Sequence, residues 1–262
     1  MSYSLNEQGS VTHKLSIEVV LDTTDARLVA VAKSLQYSLG EPTGKSTHTL
    51  RIGKSGIELI STSNRNCHRV DFSTIDRRTG GGNLSRRQPL PKAIGPIDND
   101  VVDVTAGFGA DAARLALMGY HVTAIEQLPV VAAMLQDGLF RANQDTQFKE
   151  ALGERLRFIE AEATRWLLEN KGMGVVYLDP MFPPKRKKSA LPPGHIQLLQ
   201  SLVGEVCETG TSDLFNAALQ AATHRVVVKR PVHAPQMGND PTAIHEGKLV
   251  RYEVYRPLTH KH

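Results

Sequence analysis

The residues with the most definite chemistry are Asp179-Pro180-Met181-Phe182, which follow the apolar run Val175-Val176-Tyr177-Leu178 and precede Pro183-Pro184. A carboxylate, a proline carbonyl and an aromatic ring lie within four positions. Together they offer two hydrogen-bond acceptors and a flat stacking surface. That set suits an exocyclic amine on an aromatic base, a poor nucleophile because its lone pair is delocalised into the ring. Acceptors on the amine hydrogens favour a pyramidal nitrogen and localise the pair as it attacks a carbon electrophile. Asp179 and the Pro180 carbonyl would be those acceptors, and Phe182 would hold the base in line. A plainer role also fits, with Asp179 capping a turn and the prolines ending a strand.

The second constellation is Val101-Val102-Asp103-Val104-Thr105-Ala106-Gly107-Phe108-Gly109-Ala110-Asp111, a β-branched run that reaches an acid and then two glycines. Gly107 and Gly109 let the backbone turn sharply and approach a ligand without Cβ clashes. The stretch 107–112 matches GxGxxG/A, and Glu126 lies 19 residues after Gly107, the spacing of an acid that takes ribose hydroxyls. A nicotinamide dinucleotide and S-adenosylmethionine make nearly the same demands on such a loop. Asp103, four residues before Gly107, favours the latter, because a carboxylate there can accept from a cationic amino-acid moiety or order the loop. Asp179-Pro180-Met181-Phe182 favours it more strongly, being similar to the [D/N]-P-P-[Y/F/W] motif of amino-methyltransferases.

These residues need elements to carry them. From Asp98 onward strand and helix patterns alternate, which predicts parallel βαβ units in a doubly wound α/β sheet. Strands are expected over 101–105, 121–125, 156–159, 175–178 and 225–228. Helices are expected over 112–120, 129–143, 164–169, 195–207 and 213–222, and a closing hairpin over 242–245 and 249–255. Five parallel strands with a final antiparallel hairpin suit a Rossmann-like class I methyltransferase sheet better than a dehydrogenase one. Residues 1–96 read as a separate small α+β domain, with strands over 15–21, 56–60 and 69–72, a helix over 26–39 and a short helix over 88–94. Gly95-Pro96 marks its boundary with the methyltransferase domain, 97–262.

Charge is concentrated in two places. Between Arg65 and Lys92 seven basic residues face two acidic ones, a local +5, although the whole chain carries only +4. Within that stretch, Arg77-Arg78 and Arg86-Arg87 flank Gly80-Gly81-Gly82. Lys185-Arg186-Lys187-Lys188 adds a second cluster, and Lys229-Arg230 ends the fifth strand. A polyanion is the expected partner, with all ten of these basic residues as candidate phosphate contacts. Solvated surface loops would give the same charge pattern. Two cysteines, Cys67 and Cys207, without metal spacing and ten scattered histidines predict no metal site. The N-terminus has no signal-peptide pattern, and no apolar run approaches the ~20 residues of a membrane span, so a cytoplasmic protein is expected.

With DVTAGFGAD, AIEQLPVVAAML, VVYLDPMFPPKRKKSA and RVVVKRP together, the chain resembles the ribosomal small subunit methyltransferase J family over about 69–255. The resemblance implies methyl transfer from S-adenosylmethionine to the 2-amino group of a guanine in 16S ribosomal RNA, free or within the small subunit. It places cofactor contacts on Ala110 and Asp111, Glu126 and Gln127, Glu162 and Ala163, and Asp179. The physical reading adds Asp103, Gly107 and Gly109, with Glu126 on the ribose and Glu162-Ala163 beside the adenine. Two pairs depart from the family pattern: Glu126-Gln127 stands where Glu-Arg is common, and Glu162-Ala163 where a small hydroxyl pair is common. A base in structured RNA must leave its stack to reach Phe182. An adenine or protein amine as the acceptor, a nicotinamide oxidoreductase and an inactive RNA-binding relative are the alternatives.

Overall fold

The computed structural model describes residues 4–5, 11–12, 16–40, 45–78, 84–181, 193–203 and 208–258. Two short strands, β1 (Ser4–Leu5) and β2 (Val11–Thr12), pair antiparallel. The first sheet then forms from β3 (Ile17–Asp22), β4 (His48–Gly53), β5 (Gly56–Ser61) and β6 (Cys67–Arg69), in that order. The pair β3–β4 is parallel and the others are antiparallel. Helix α1 (Ala26–Leu39) starts where the Asp25 carboxylate accepts from the Arg27 and Leu28 amides at 2.9 and 3.2 Å. It buries Leu28, Ala32 and Leu35. β4 was not anticipated, and the strand expected over 69–72 ends at Arg69. Asp71 accepts from the Ser73 amide instead and starts a single 3-10 turn, Phe72–Thr74.

After α2 (Pro89–Ile94) the alternation expected from the sequence is realised. In chain order come β7 (Asp100–Asp103), α3 (Ala110–Leu117), β8 (His121–Glu126), α4 (Pro129–Ala142), α5 (Thr146–Leu152), β9 (Leu156–Glu160) and α6 (Ala163–Glu169). They are followed by β10 (Met173–Leu178), α7 (Gly194–Val203), α8 (Glu208–Ala221), β11 (Ala222–Pro231), β12 (Ala243–Glu246) and β13 (Val250–Tyr255). The seven strands are ordered β12-β13-β11-β10-β7-β8-β9. β9, β8, β7, β10 and β11 are parallel, and the closing hairpin is antiparallel. Val101, Val102, Val175, Val176, Val226, Val227 and Val228 are buried, as strands covered on both faces require. Helix α5, unexpected from the sequence, starts at Asp145, which accepts from the Phe148 amide at 2.8 Å.

One hydrophobic core runs without a break from Leu50, Ile52, Ile57 and Leu59 of the small sheet to Val131, Met134 and Leu135 of α4. A Cβ on Gly138 of α4 would lie 2.6 Å from Val70, so only glycine lets the segment after β6 pack this closely. Beside it Asp137, 1% exposed, accepts from Arg27 at 2.8 Å, Arg141 at 2.8 Å and the Ile57 amide at 3.1 Å. Among the described residues no helix is long and apolar enough to cross a membrane, and no cluster of His, Cys, Asp or Glu is arranged to hold a metal.

Candidate active site

Asp103, Glu126 and Asp179 lie at or just beyond the carboxyl ends of β7, β8 and β10, three neighbouring parallel strands. Strand order reverses between β7 and β10, and such a switch point opens the crevice where doubly wound sheets bind ligands. The loop leaving β7 is shaped by Gly107 (φ 52°) and Gly109 (φ 75°, at the helix cap of α3). A Cβ would meet Leu199 at 3.0 Å on the first and Leu135 at 2.7 Å on the second. Glu126 braces this loop: one oxygen accepts from the Gly107 amide at 3.0 Å and the other from the Leu128 amide at 2.8 Å. Burial pushes its pKa up against these backbone hydrogen bonds.

Three acids surround one lysine behind the loop. Lys229 donates to Asp111 Oδ2 at 2.8 Å and to Asp179 Oδ2 at 2.9 Å. The Tyr177 hydroxyl donates to Asp111 Oδ2 at 2.8 Å, and Arg114 donates to its Oδ1 at 3.1 Å. Burial works to raise the Asp111 pKa, but Lys229 and these donors hold it below its ordinary value. Burial pushes Asp179 up, with Asp111 adding to the effect against the pull of Lys229. Asp103 is 2% exposed and is driven up to about 8, chiefly by burial, with the Thr105 amide opposing at 3.1 Å. Lys229 stays charged, because its two acids overcome its burial. Thr105 closes the arrangement: its hydroxyl accepts from the Asp179 amide at 2.6 Å, tying β10 to the loop.

The structure thus brings together Asp103, Gly107, Gly109, Asp111, Glu126 and Asp179, with Ala110 at the start of α3 and Pro180 buried next to Asp179. Gln127 follows Glu126 and is exposed. The Glu162 side chain caps α6, accepting from the Thr164 and Arg165 amides at 2.9 and 2.7 Å, with Ala163 as the first helical residue. Lys229 and Arg230 require correction as phosphate contacts. Lys229 points at two acids inside the site, whereas Arg230, 8% exposed, donates to the Pro235 carbonyl at 2.6 Å and holds the loop after β11. Arg78 is paired with Asp76 at 2.6 Å, and that contact above all lowers Asp76 to about 2. Arg77 reaches Gln147 at 3.5 Å, Arg86 donates to the Met118 carbonyl at 3.0 Å, and Arg87 is exposed. Phe182, Lys185, Arg186, Lys187, Lys188 and the Gly80–Gly82 run lie outside the described residues. Thr105 and Tyr177 were missed by sequence reasoning, which took both as strand filler.

A family model described as "Putative SAM-dependent methyltransferase" matches residues 33–257. A protein of Stutzerimonas stutzeri named ribosomal RNA small subunit methyltransferase J is 38% identical over 239 residues, covering 86% of this chain and 90% of that protein. Its namesake in Aeromonas salmonicida is 45% identical over 191 residues, 71% of this chain and 75% of that one. The crystal structure of a SAM-dependent methyltransferase from Neisseria gonorrhoeae matches with a TM-score of 0.68 at 28% identity, covering 92% of this chain and 96% of that one. The chain belongs to the ribosomal RNA small subunit methyltransferase J family. The methyl donor of this family member is S-adenosylmethionine, which removes the nicotinamide alternative. The site fits that donor: the left-handed Gly107 and Gly109 set the tight turn after β7, and the acids gathered at the switch point would suit a cationic sulfonium.

Proposed function

We propose that the protein methylates the 2-amino group of a guanine in 16S ribosomal RNA, free or in the small subunit, with Asp179, Pro180 and Phe182 as the acceptor-side residues. The observation that carries this reading is the position of Asp179 at the switch point, fixed by the Thr105 hydroxyl at its amide and by Lys229 at Oδ2. S-adenosylmethionine supplies the methyl group on a sulfonium. Asp179 Oδ1 and the Pro180 carbonyl accept from the amine hydrogens and direct the nitrogen lone pair toward that methyl. Glu126, Gly107, Gly109, Ala110, Asp111 and Asp103 form the donor side, with Gln127, Glu162 and Ala163 along its rim. The exposed Arg77, Arg86 and Arg87, with Arg78, supply phosphate contacts.

The test is single-turnover methyl transfer to small-subunit RNA, with RNA and cofactor affinities measured separately. Asp179→Ala should lower the rate ~100- to 1,000-fold while RNA binding changes little, the usual loss for one preorganised transition-state partner. A folded Asp179→Ala variant that methylates at the wild-type rate removes this residue from the chemistry. Mass mapping of 16S RNA from a deletion strain then checks the guanine.

A further inference from the structure

Phe108, His68 and His195 come from three separate parts of the chain and meet over the glycine loop. Phe108 sits between Gly107 and Gly109, His68 is the middle residue of β6, and His195 lies in the first turn of α7. The His68 and Phe108 ring centres are 4.2 Å apart, and those of His68 and His195 are 5.5 Å apart with planes 30° from parallel. Helix α7 is seated here by Leu199, which a Cβ on Gly107 would meet at 3.0 Å. His195 is four residues earlier, so it lies one turn along the same face. At the other side of α7, His48 and the Ser201 hydroxyl are 2.8 Å apart, which ties the small sheet to the same helix.

We propose that this row of rings is a stacking site for a base of the substrate RNA, with His195 as its outer, exposed face. The proposal rests on the RNA reading given above. A phosphate site would need cations, yet burial first and His195 second push His68 down to about 4, leaving a neutral ring at physiological pH. Flat rings in contact, tilted by 47° between His68 and Phe108 and by 30° between His68 and His195, offer π-surface, which is what a nucleobase uses. The loop carrying Phe108 is the one braced by Glu126 at the Gly107 amide, so a base held here lies beside the transfer site. The small sheet thereby supplies part of the RNA site, through β6.

His195→Ala is the primary variant because the side chain is exposed, and His68→Ala is the second. With 16S RNA or small subunits as substrate, His195→Ala should weaken RNA binding and raise KM about 5- to 150-fold, the range for losing one stacked base. The S-adenosylmethionine dissociation constant should be unchanged. His195→Phe should restore most of the lost affinity, since stacking needs a ring and no particular hydrogen bond. Unchanged RNA affinity in both alanine variants overturns the proposal. So does a parallel loss of cofactor affinity, which would make the rings a brace for the glycine loop. A wild-type protein that methylates no RNA overturns the functional reading and this site with it, whereas an active wild type with an indifferent His195→Ala overturns the site alone.

Discussion

Asp137 and Asp179 are both held by cationic side chains inside the protein, and the two surroundings are built in opposite ways. Around Asp137 one carboxylate meets two guanidinium groups and a backbone amide, and its side chain is fully covered. Burial works to raise its pKa, but these donors outweigh it and hold the acid low. Around Asp179 three acids share Lys229 and Arg114, and the Asp179 side chain is 38% exposed. Two of those acids, Asp103 and Asp179, are pushed up. A cluster with cations in excess and no access joins α1, α4 and β5, and it has no use for a ligand. The second cluster opens to solvent through Asp179 at a sheet switch point, the place where doubly wound sheets take their ligands.

Removing the central acid breaks the structural cluster. Asp137→Ala leaves Arg27, Arg141 and the Ile57 amide without their shared acceptor, and should cost about 3–5 kcal/mol of stability. A urea unfolding midpoint equal to that of the wild type would show that the cluster is ornamental. The cluster of Asp111, Asp179 and Lys229 should respond to loss of its lysine in rate more than in folding. Lys229→Met leaves Asp111 and Asp179 facing each other without the lysine, so both carboxyl pKa values rise. Protonated Asp179 is a poorer acceptor, and the acid limb of the single-turnover rate profile should move to higher pH. A limb that stays in place would separate Lys229 from Asp179 function.

The smallest effect sharpens the contrast through Asp103. Its folded pKa of about 8 lies above the ordinary 3.8, so between those values the folded chain holds a proton that the unfolded chain has released. Stability from this group is complete below about pH 4 and is lost as pH rises toward 8. Asp103→Asn does not titrate, and asparagine keeps an acceptor for the Thr105 amide. The fall in denaturant midpoint between pH 5 and pH 9 should therefore be smaller in the variant. An equal fall in both proteins would assign the pH dependence to other groups.

The parts of the site legible in sequence are those whose chemistry is local. Gly107, Gly109 and the acids ending β7, β8 and β10 could be read because strand, turn and helix follow one another within a few residues. Lys229 was misread because its partners are distant, and Arg230 because it turns back onto the Pro235 carbonyl of its own following loop. Asp111 and Asp179 lie 118 and 50 residues from Lys229, and charge alone does not say which way a strand residue points. Helix α5 did carry a signal, an aspartate cap and a closing Gly153 at φ 58°, but over only seven residues. In β4 the polar residues His48, Thr49 and Arg51 obscured the strand, although His48 is itself buried. Asp137 was legible in principle as an acid interrupting the apolar face of α4 between Leu135 and Gly138.

The close fit of Val70 against Gly138 bears on how the chain folds as it is made. The small sheet and α1 are complete once Arg69 has been synthesised, but α4, which shares their core, ends only at Ala142. At synthesis rates of about 5–20 residues per second, the intervening roughly seventy residues take about 4–15 s. During that interval Leu50, Ile52, Ile57 and Leu59 lack the helical face they share a core with, and Arg27 lacks Asp137. A nascent chain stalled before α4 should therefore be cut more readily by protease in this sheet than the full-length chain.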